Sequence, residues 1–414
     1  MRIAQVSYHT TPLDPPGHRH SGGMNVYIQE LSRQLAALGH EVDIITRRSD
    51  AGPTITDISK NIRLVQVEAG PPEPIEKELA IPYVPAFADQ LIHFAKQEFQ
   101  SSKGSYDVVH SHYWQGAQAG MLLAQNLKVP HVVMFHTLGE AKNRARASEE
   151  EPERRIKMER MQSSKADAIV VASSHERGLL QRYYGVPEEK VSVIPCGVDI
   201  KHFMPLNAQD CRRELGLQLN KPVILWIGRL EELKGVDILI GAAAEIEEKD
   251  FVVLIVGGGA DADRLRPELK EEVKNAGLEE VVFFRDAVSR EELALYYGAS
   301  DAVVIPSYYE SFGLVAVEAM ASGRPVIASR VGGLVSIVTD GVDGYLIPWR
   351  CPEPFAEKIE VLMRNSELRE NFGKAARRSV EIFAWENKVQ IVEDLYSHQV
   401  GKIKVSEHEF NREI

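Results

Sequence analysis

The runs Ile3-Ala-Gln-Val-Ser-Tyr8 and Val42-Asp-Ile-Ile-Thr46 flank a helix-forming stretch from residue 24 to 38. Short β-branched runs that alternate with helical stretches are typical of βαβ units, in which the two strands lie parallel in one sheet. The N-terminal segment therefore predicts the start of an open parallel sheet.

The same alternation continues in two series along the chain. The first series predicts further strands at residues 62–67, 108–111, 131–135, 168–172 and 191–195, and the second, after a polar stretch, at residues 222–227, 252–256, 281–284, 302–306 and 325–328. We predict an α/β protein of two Rossmann-like parallel-sheet domains that face a central cleft, at residues 1–197 and 198–380. The helical segment 381–414 either caps the second domain or crosses back to the first.

Composition and charge narrow the class of protein. The chain has 414 residues, of which 44% are hydrophobic and 26% charged, as expected for a globular protein of more than one domain. Its net charge of −12 disfavours binding to nucleic acid or to an anionic membrane, both of which need a basic field. The first residues lack the long apolar core of a signal peptide, so we expect a cytoplasmic location.

In open parallel sheets, ligands bind beyond the carboxyl ends of the strands, so the loops that follow strands are the candidate sites. The first such loop ends in Ser21-Gly-Gly-Met-Asn25, where Gly22 and Gly23 leave N–H groups exposed at a helix N-terminus. This segment is either an anion-binding turn or a structural turn. His9, at the end of the preceding strand, is either a structural hydrogen-bonding residue or a ligand contact.

Two polar clusters follow neighbouring strands, His110-Ser-His-Tyr-Trp114 and Phe135-His-Thr-Leu-Gly-Glu-Ala-Lys-Asn143. Aromatic rings and hydroxyl groups at adjacent strand ends favour binding of a sugar or polyol. A metal site made of three histidines is disfavoured because no carboxylate partner is evident. The charged tract at residues 140–165 offers a local cationic pocket, although a solvated helix with ion pairs accounts for most of its charges.

The second domain carries two motifs with complementary chemistry. In Gly228-Arg-Leu-Glu-Glu-Leu-Lys-Gly235, Arg229 and Lys234 suit a diphosphate and the negative charge that grows on it as it departs. In Glu310-Ser-Phe-Gly-Leu-Val-Ala-Val-Glu318, the helix start can face phosphate or sugar oxygens, and each carboxylate can accept hydrogen bonds from a diol. The alternatives are a solvated loop and a surface helix with incidental glutamates.

Along the chain, Val193-Ile-Pro-Cys-Gly-Val-Asp199, the Gly-Arg-Leu…Lys-Gly run and the two glutamates resemble, in the usual order, the motifs of the retaining GT-B glycosyltransferases of family four. The resemblance covers nearly the whole chain. The N-terminal half resembles most the inositol-phosphate N-acetylglucosaminyltransferases of mycothiol synthesis, through His9-Thr-Thr-Pro-Leu13, Gly22-Gly-Met-Asn-Val-Tyr27 and the two polar clusters. Sucrose-phosphate synthases share several of these stretches.

The resemblance implies an acceptor-binding first domain and a nucleotide-sugar-binding second domain. The implied donor-binding residues are Gly23, Arg229, Lys234, Glu310, Ser311, Phe312, Gly313, Leu314 and Glu318. The implied acceptor-binding residues are His9, Gly22, Asn25, Lys77, Tyr113, Thr137, and Arg154 or Arg155. The residues implied in catalysis are His136, Arg229, Lys234 and Glu310.

The implied reaction transfers a sugar from UDP-N-acetylglucosamine or UDP-glucose to a small phosphorylated acceptor such as inositol phosphate, with retention of configuration. The leaving phosphate helps to deprotonate the acceptor, so neither a protein nucleophile nor a cofactor is expected; Mg²⁺ beside the diphosphate and a homodimer stay open. The alternatives are transfer to a hexose phosphate, a UDP-sugar epimerase or phosphorylase of the same architecture, and a non-catalytic sugar-binding protein.

Overall fold

The computed structural model describes residues 1–13, 22–100, 104–145, 150–348 and 350–410, which form two compact units. Unit 1 comprises residues 1–13, 24–195 and 385–410, and unit 2 comprises residues 22–23 and 196–384. Ser21 and part of the loop after the first strand lie outside the described residues.

Unit 1 is built on one eight-stranded sheet with the order β3-β4-β2-β1-β5-β6-β7-β8. All neighbouring strands are parallel except β3 and β4. The strands are β1 (Arg2–Ser7), β2 (Glu41–Arg47), β3 (Ile55–Ser59), β4 (Ile62–Val67), β5 (Val108–His112), β6 (His131–Met134), β7 (Ala168–Val171) and β8 (Val191–Val193).

The strand β3 is absent from the sequence-based prediction. It forms an antiparallel edge hairpin with β4, and Asn61, with φ of 70°, provides the turn. Most of its side chains are exposed, so the sequence has no buried apolar run at this position. An antiparallel edge strand on an otherwise parallel sheet is a common arrangement.

The helices of unit 1 are α1 (Gly23–Ala37), α2 (Val84–Phe99), α3 (Tyr113–Leu127), α4 (Gly139–Ala145), α5 (Glu153–Lys165), α6 (Ser174–Leu179) and the C-terminal α14 (Trp385–Phe410). Buried apolar residues of β1, β5, α2 and α3 form one core, which includes Val6, Phe87, Leu91, Val109 and Leu123. Burying each such side chain contributes about 1.5–3 kcal/mol, so the core fixes the strands whose ends carry the polar clusters.

Unit 2 is built on a six-stranded parallel sheet with the order β11-β10-β9-β12-β13-β14. Its strands are β9 (Val223–Ile227), β10 (Val252–Val256), β11 (Val282–Arg285), β12 (Ala302–Ile305), β13 (Val326–Ser329) and β14 (Gly344–Ile347). Its helices are α7 (Ala208–Glu214), α8 (Val236–Glu245), α9 (Ala262–Asn275), α10 (Arg290–Ala299), α11 (Leu314–Ala321), α12 (Pro352–Arg364) and α13 (Ser366–Val380).

The core of unit 2 lies between this sheet and the helices packed on it. Trp226, Leu239, Phe251 and Phe355 are buried there. The order places β9 and β12 side by side, although α8 to α10 separate them in sequence, and the loops that follow these two strands hold Arg229, Lys234 and Glu310. The fold thus brings together two motifs that are far apart in the sequence.

The final helix belongs to unit 1, which decides between the two alternatives for the C-terminal segment. The ring of Trp385 lies 5.6 Å from that of Tyr27 on α1, and the side chain of Tyr396 is buried against β1 and β5. The predicted fold class, with two Rossmann-like α/β domains and a C-terminal helix that returns to the first, is confirmed.

Candidate active site

Two residues at neighbouring strand ends of unit 1 have a strained backbone. Tyr113, directly after β5, has φ of 63°, and His136, two residues after β6, has φ of 61°. Left-handed conformations of residues other than glycine cost of the order of 1–3 kcal/mol each and persist where the surrounding structure imposes them, often at functional sites. The strain therefore marks the same two clusters that the sequence singles out.

The buried rings around His136 are joined by hydrogen bonds. His136 Nε2 lies 2.9 Å from His112 Nδ1, and His112 Nε2 lies 2.6 Å from Gln5 Oε1. Gln5 Nε2 donates to the hydroxyl of Tyr396 over 3.3 Å, and this hydroxyl lies 2.5 Å from His110 Nδ1. Gln5 on β1 and Tyr396 on α14 were not predicted as part of the site.

These histidines are neutral near pH 7. Burial lowers the pKa of His110 to about 3 and that of His136 to about 3, and it holds the pKa of His112 well below its usual range. A neutral imidazole has one N–H donor and one acceptor nitrogen, so each ring has a defined role in the hydrogen-bonded chain. His112 uses both ring nitrogens within the protein. Among the described residues, no three His, Cys, Asp or Glu side chains are grouped so that they could hold a metal ion.

A buried ion cluster lies beneath the predicted acceptor residues. The guanidinium of Arg155 donates to the Thr137 carbonyl and hydroxyl oxygens over 2.8 and 3.0 Å, and its Cζ lies 4.7 Å from the centre of the Tyr113 ring. The same guanidinium is 2.7 Å from Glu159 and 2.9 Å from Glu151. The geometry thus brings Arg155, Tyr113 and Thr137 together.

Glu151 and Glu159 hold this cluster in place. Burial raises the pKa of the Glu151 carboxyl, but the charges of Arg155 and Lys142 outweigh that effect and lower the pKa to about 2. Glu159 accepts hydrogen bonds from the Gly139 N–H over 3.0 Å and from the Tyr184 hydroxyl over 2.5 Å. The ionised Glu151 and the buried Glu159, both within hydrogen-bonding distance of the guanidinium, orient the Arg155 fork.

The interpretation of residues 140–165 as a solvated helix holds for most of the described charges, but Arg155 and Glu159 are exceptions. Arg155 is 1% exposed and Glu159 is fully buried, because α5 packs these side chains under the strand ends instead of presenting them to water. Arg154, the other arginine considered, is exposed. The contacts of Arg155 with Tyr113 and Thr137 favour Arg155 as the residue near an acceptor.

The other predicted acceptor residues differ in their contacts and burial. The His9 ring lies 4.8 Å from the Tyr113 ring. Asn25 is buried and donates to Thr10 Oγ1 and the Thr11 carbonyl, so it braces the loop after β1. The backbone carbonyl of Lys77 accepts a hydrogen bond from Gln115 Nε2 over 2.7 Å, and the Lys77 side chain is partly exposed. Gly22 directly precedes α1, and Gly23 is its first residue.

In unit 2, the ammonium group of Lys234 lies 2.7 Å from Glu310 Oε2. Arg229 lies nearby in sequence and pairs with Glu231 at 2.6 Å. The turn after Lys234 depends on Gly235, which has φ of 67°, and a Cβ at this position would lie 2.1 Å from the Pro306 carbonyl oxygen. Close contact between these two loops therefore places the lysine beside the glutamate.

The segment from Glu310 to Leu314 is held by a glycine pair that the sequence analysis missed. The Gly333 N–H donates to the Glu310 carbonyl over 3.1 Å. A Cβ on Gly332 would lie 1.7 Å from that carbonyl oxygen, and one on Gly333 would lie 2.4 Å from the Phe312 carbonyl oxygen. Gly313, with φ of 115°, ends the segment at the start of α11. The run Val331-Gly-Gly-Leu334 after a strand was the available signal.

Glu318 is 9% exposed and accepts a hydrogen bond from the Tyr297 hydroxyl over 2.9 Å. Burial raises the pKa of this carboxyl, and the charge of Arg290 opposes the shift. Tyr297 on α10 was not predicted. The hydrogen bond from its hydroxyl lowers the pKa of the Glu318 carboxyl and so opposes the effect of burial.

Known proteins with similar sequences and structures agree with this chemistry. The family models "Glycosyltransferase Family 4" and "Glycosyl transferases group 1" match residues 21–202 and 207–379. The D-inositol 3-phosphate glycosyltransferase of Xylanimonas cellulosilytica is 38% identical over 96% of both chains, and that of Corynebacterium diphtheriae is 38% identical over 96% of this chain and 94% of its own.

Solved structures of glycosyltransferases have a similar fold. Sucrose-phosphate synthase from Thermosynechococcus elongatus is 32% identical and superposes with a TM-score of 0.89 over 97% of this chain and 99% of its own. Anabaena HepE, solved with UDP-glucose, is 21% identical with a TM-score of 0.73 over 96% of this chain and all of its own, which indicates a shared fold.

The two α/β units, the matched family models and the relatives together show that the chain is a GT-B glycosyltransferase. The chain belongs to family four of these enzymes. In the part of the chain that the structure describes, no helix is long and apolar enough to cross a membrane.

Proposed function

We propose that the chain transfers a hexosyl group, with retention of configuration, from a UDP-sugar to a small phosphorylated acceptor such as inositol phosphate. The observation that carries the donor half is the ion pair between Lys234 and Glu310 at the start of α11. A cation, a carboxylate and a helix N-terminus at one strand edge can bind phosphate and sugar hydroxyls together.

The donor residues take complementary roles in this proposal. Lys234 and Arg229 stabilise the negative charge that develops on the departing diphosphate, as preorganised charges do in other transfer reactions. Glu310 orients Lys234 and accepts a hydrogen bond from a hydroxyl of the transferred sugar. The buried Glu318 accepts hydrogen bonds from the ribose hydroxyls. With two cations from the chain itself, we propose that transfer needs no metal ion; activity in excess chelator is the test.

The acceptor half rests on unit 1 and on the relatives. Tyr113, Thr137 and Arg155 combine a ring, a hydroxyl and a cation in one cluster, which suits a phosphorylated polyol. The relatives named D-inositol 3-phosphate glycosyltransferase share 38% identity over nearly the whole chain, so inositol phosphate is the first acceptor to test. The likeness to sucrose-phosphate synthase favours a hexose phosphate as the second.

A matrix of donors and acceptors tests the proposal. UDP-N-acetylglucosamine and UDP-glucose are each incubated with inositol phosphate, fructose 6-phosphate or no acceptor, and both UDP release and the sugar product are measured. We expect UDP release and product formation to depend on a phosphorylated acceptor. Donor consumption of equal rate without any acceptor would contradict transfer and favour an epimerase or hydrolase.

A further inference from the structure

The chain of hydrogen bonds that ends at His136 links distant parts of unit 1. Gln5 lies on β1, His112 ends β5, and Tyr396 lies on α14, 391 positions from Gln5. Gln5, His112 and Tyr396 are fully buried. The predicted roles of donor and acceptor residues use neither Gln5 nor Tyr396, although both are connected to His136.

The direction of these hydrogen bonds follows from the Gln5 amide, whose nitrogen only donates and whose oxygen only accepts. The amide nitrogen donates to the Tyr396 hydroxyl, so the amide oxygen faces His112 Nε2, which must therefore carry a proton. A neutral imidazole then has an acceptor at Nδ1, and the proton between the two rings belongs to His136 Nε2. This leaves the lone pair on His136 Nδ1.

The Tyr396 hydroxyl joins the Gln5 amide to His110. Its oxygen accepts from the amide nitrogen of Gln5 over 3.3 Å, and it lies 2.5 Å from His110 Nδ1. Burial raises the pKa of Tyr396, so the hydroxyl keeps its proton at neutral pH.

We propose that Tyr396 is a positioning residue that acts through Gln5 and His112 to fix which ring nitrogen of His136 carries the proton. His136 then presents an acceptor nitrogen, and we infer that it receives a hydrogen bond from a hydroxyl of the transferred sugar. The ring's contact with sugar rests on the proposed function, whereas the position of its proton does not. The strained backbone of His136 fixes where the ring lies, and the hydrogen-bonded chain fixes its tautomer.

The direct test is the nitrogen-15 NMR spectrum of protein labelled at histidine, with the His136 signals assigned from their loss in His136→Gln. In the wild type we expect protonated Nε2 and unprotonated Nδ1. Tyr396→Phe and Gln5→Leu should each shift the His136 nitrogens towards a mixture of tautomers. Gln5→Glu, which keeps an oxygen facing His112, should retain the wild-type shifts. Wild-type shifts in both Tyr396→Phe and Gln5→Leu would overturn the proposal.

Kinetics provide the second readout. We expect Tyr396→Phe to lower kcat roughly tenfold, as for the loss of one oriented hydrogen bond, with little change in the KM of the acceptor. The matched control is Tyr106→Phe, which removes a buried hydroxyl of unit 1 that donates to Asp43 over 2.6 Å. An equal loss of kcat in the control at the same folded fraction would contradict a positioning role. Altered nitrogen shifts without detectable sugar transfer would support the positioning of His136 and reject the proposed function alone.

Discussion

The candidate sites of the two units are built on different physical principles. In unit 2, ionised groups face each other, as Lys234 and Glu310 do, and glycines allow the loops to approach. In unit 1, most of the polar groups around His136 are neutral and buried, and their hydrogen bonds reach from β1 to α14. A site for a diphosphate needs charge, whereas a site that orients hydroxyl groups needs fixed donors and acceptors.

The largest effect on kcat is expected at Lys234, the proposed partner of the departing diphosphate. Lys234→Ala should lower kcat about 10²–10³-fold, the range seen when one preorganised group at developing charge is removed. Steady-state UDP release with saturating acceptor measures it. The control is Lys374→Ala, which removes an exposed lysine paired with Glu370 on the same unit. Similar losses in both variants would show that the charge at Lys234 has no specific role.

The glycine at the turn after Lys234 provides a test of backbone geometry. Gly235→Ala should lower the free energy of unfolding by about 2–4 kcal/mol, because the new Cβ meets the Pro306 carbonyl and φ is positive. Gly216→Ala is the matched control, since its φ of 66° is nearly the same and no atom lies within 4 Å of the added Cβ. Urea unfolding compares them, and equal losses would mean that the close approach contributes nothing.

The acceptor cluster of unit 1 is expected to show a smaller, more selective effect. Arg155→Lys removes the guanidinium fork that contacts Thr137 and should raise the KM of the phosphorylated acceptor about 10–100-fold while the KM of the donor stays unchanged. Arg154→Lys, at an exposed neighbouring position, should match the wild type. A rise in acceptor KM for Arg154→Lys alone would assign the acceptor phosphate to the other arginine.

The smallest predicted effect, counted per pH unit, is the pH dependence of stability in unit 1. Burial lowers the pKa of His131 to about 3, below the ordinary value of 6.5, so between these values the unfolded chain binds the proton that the folded chain does not. The free energy of unfolding should therefore fall with falling pH, by about 1.4 kcal/mol per pH unit for this group. His131→Gln should remove that share of the slope between pH 4 and 6. An unchanged slope in urea unfolding would contradict it.

The sequence predicted the charged site of unit 2 better than the neutral, buried site of unit 1. The proposed donor residues lie in two short motifs, each directly after a strand, so the sequence alone named Arg229, Lys234 and Glu310 as candidates. Gln5 lies on a predicted strand but in no motif, and Tyr396 reaches the site only because the last helix returns to the first unit. Arg155 was named beside Arg154, and its burial and its contacts with Tyr113 and Thr137 separate the two in the structure. Local patterns predict strand-end loops; they do not predict contacts between distant segments.

The anomeric configuration of the product tests the central claim most directly. UDP-N-acetylglucosamine, whose sugar is α-linked, is incubated with inositol phosphate, and the anomeric proton of the purified product is measured by NMR. The account predicts an α-linked product in an amount equal to the UDP released. A β-linked product would contradict retention, and UDP release with free sugar as the only product would contradict transfer to a phosphorylated acceptor.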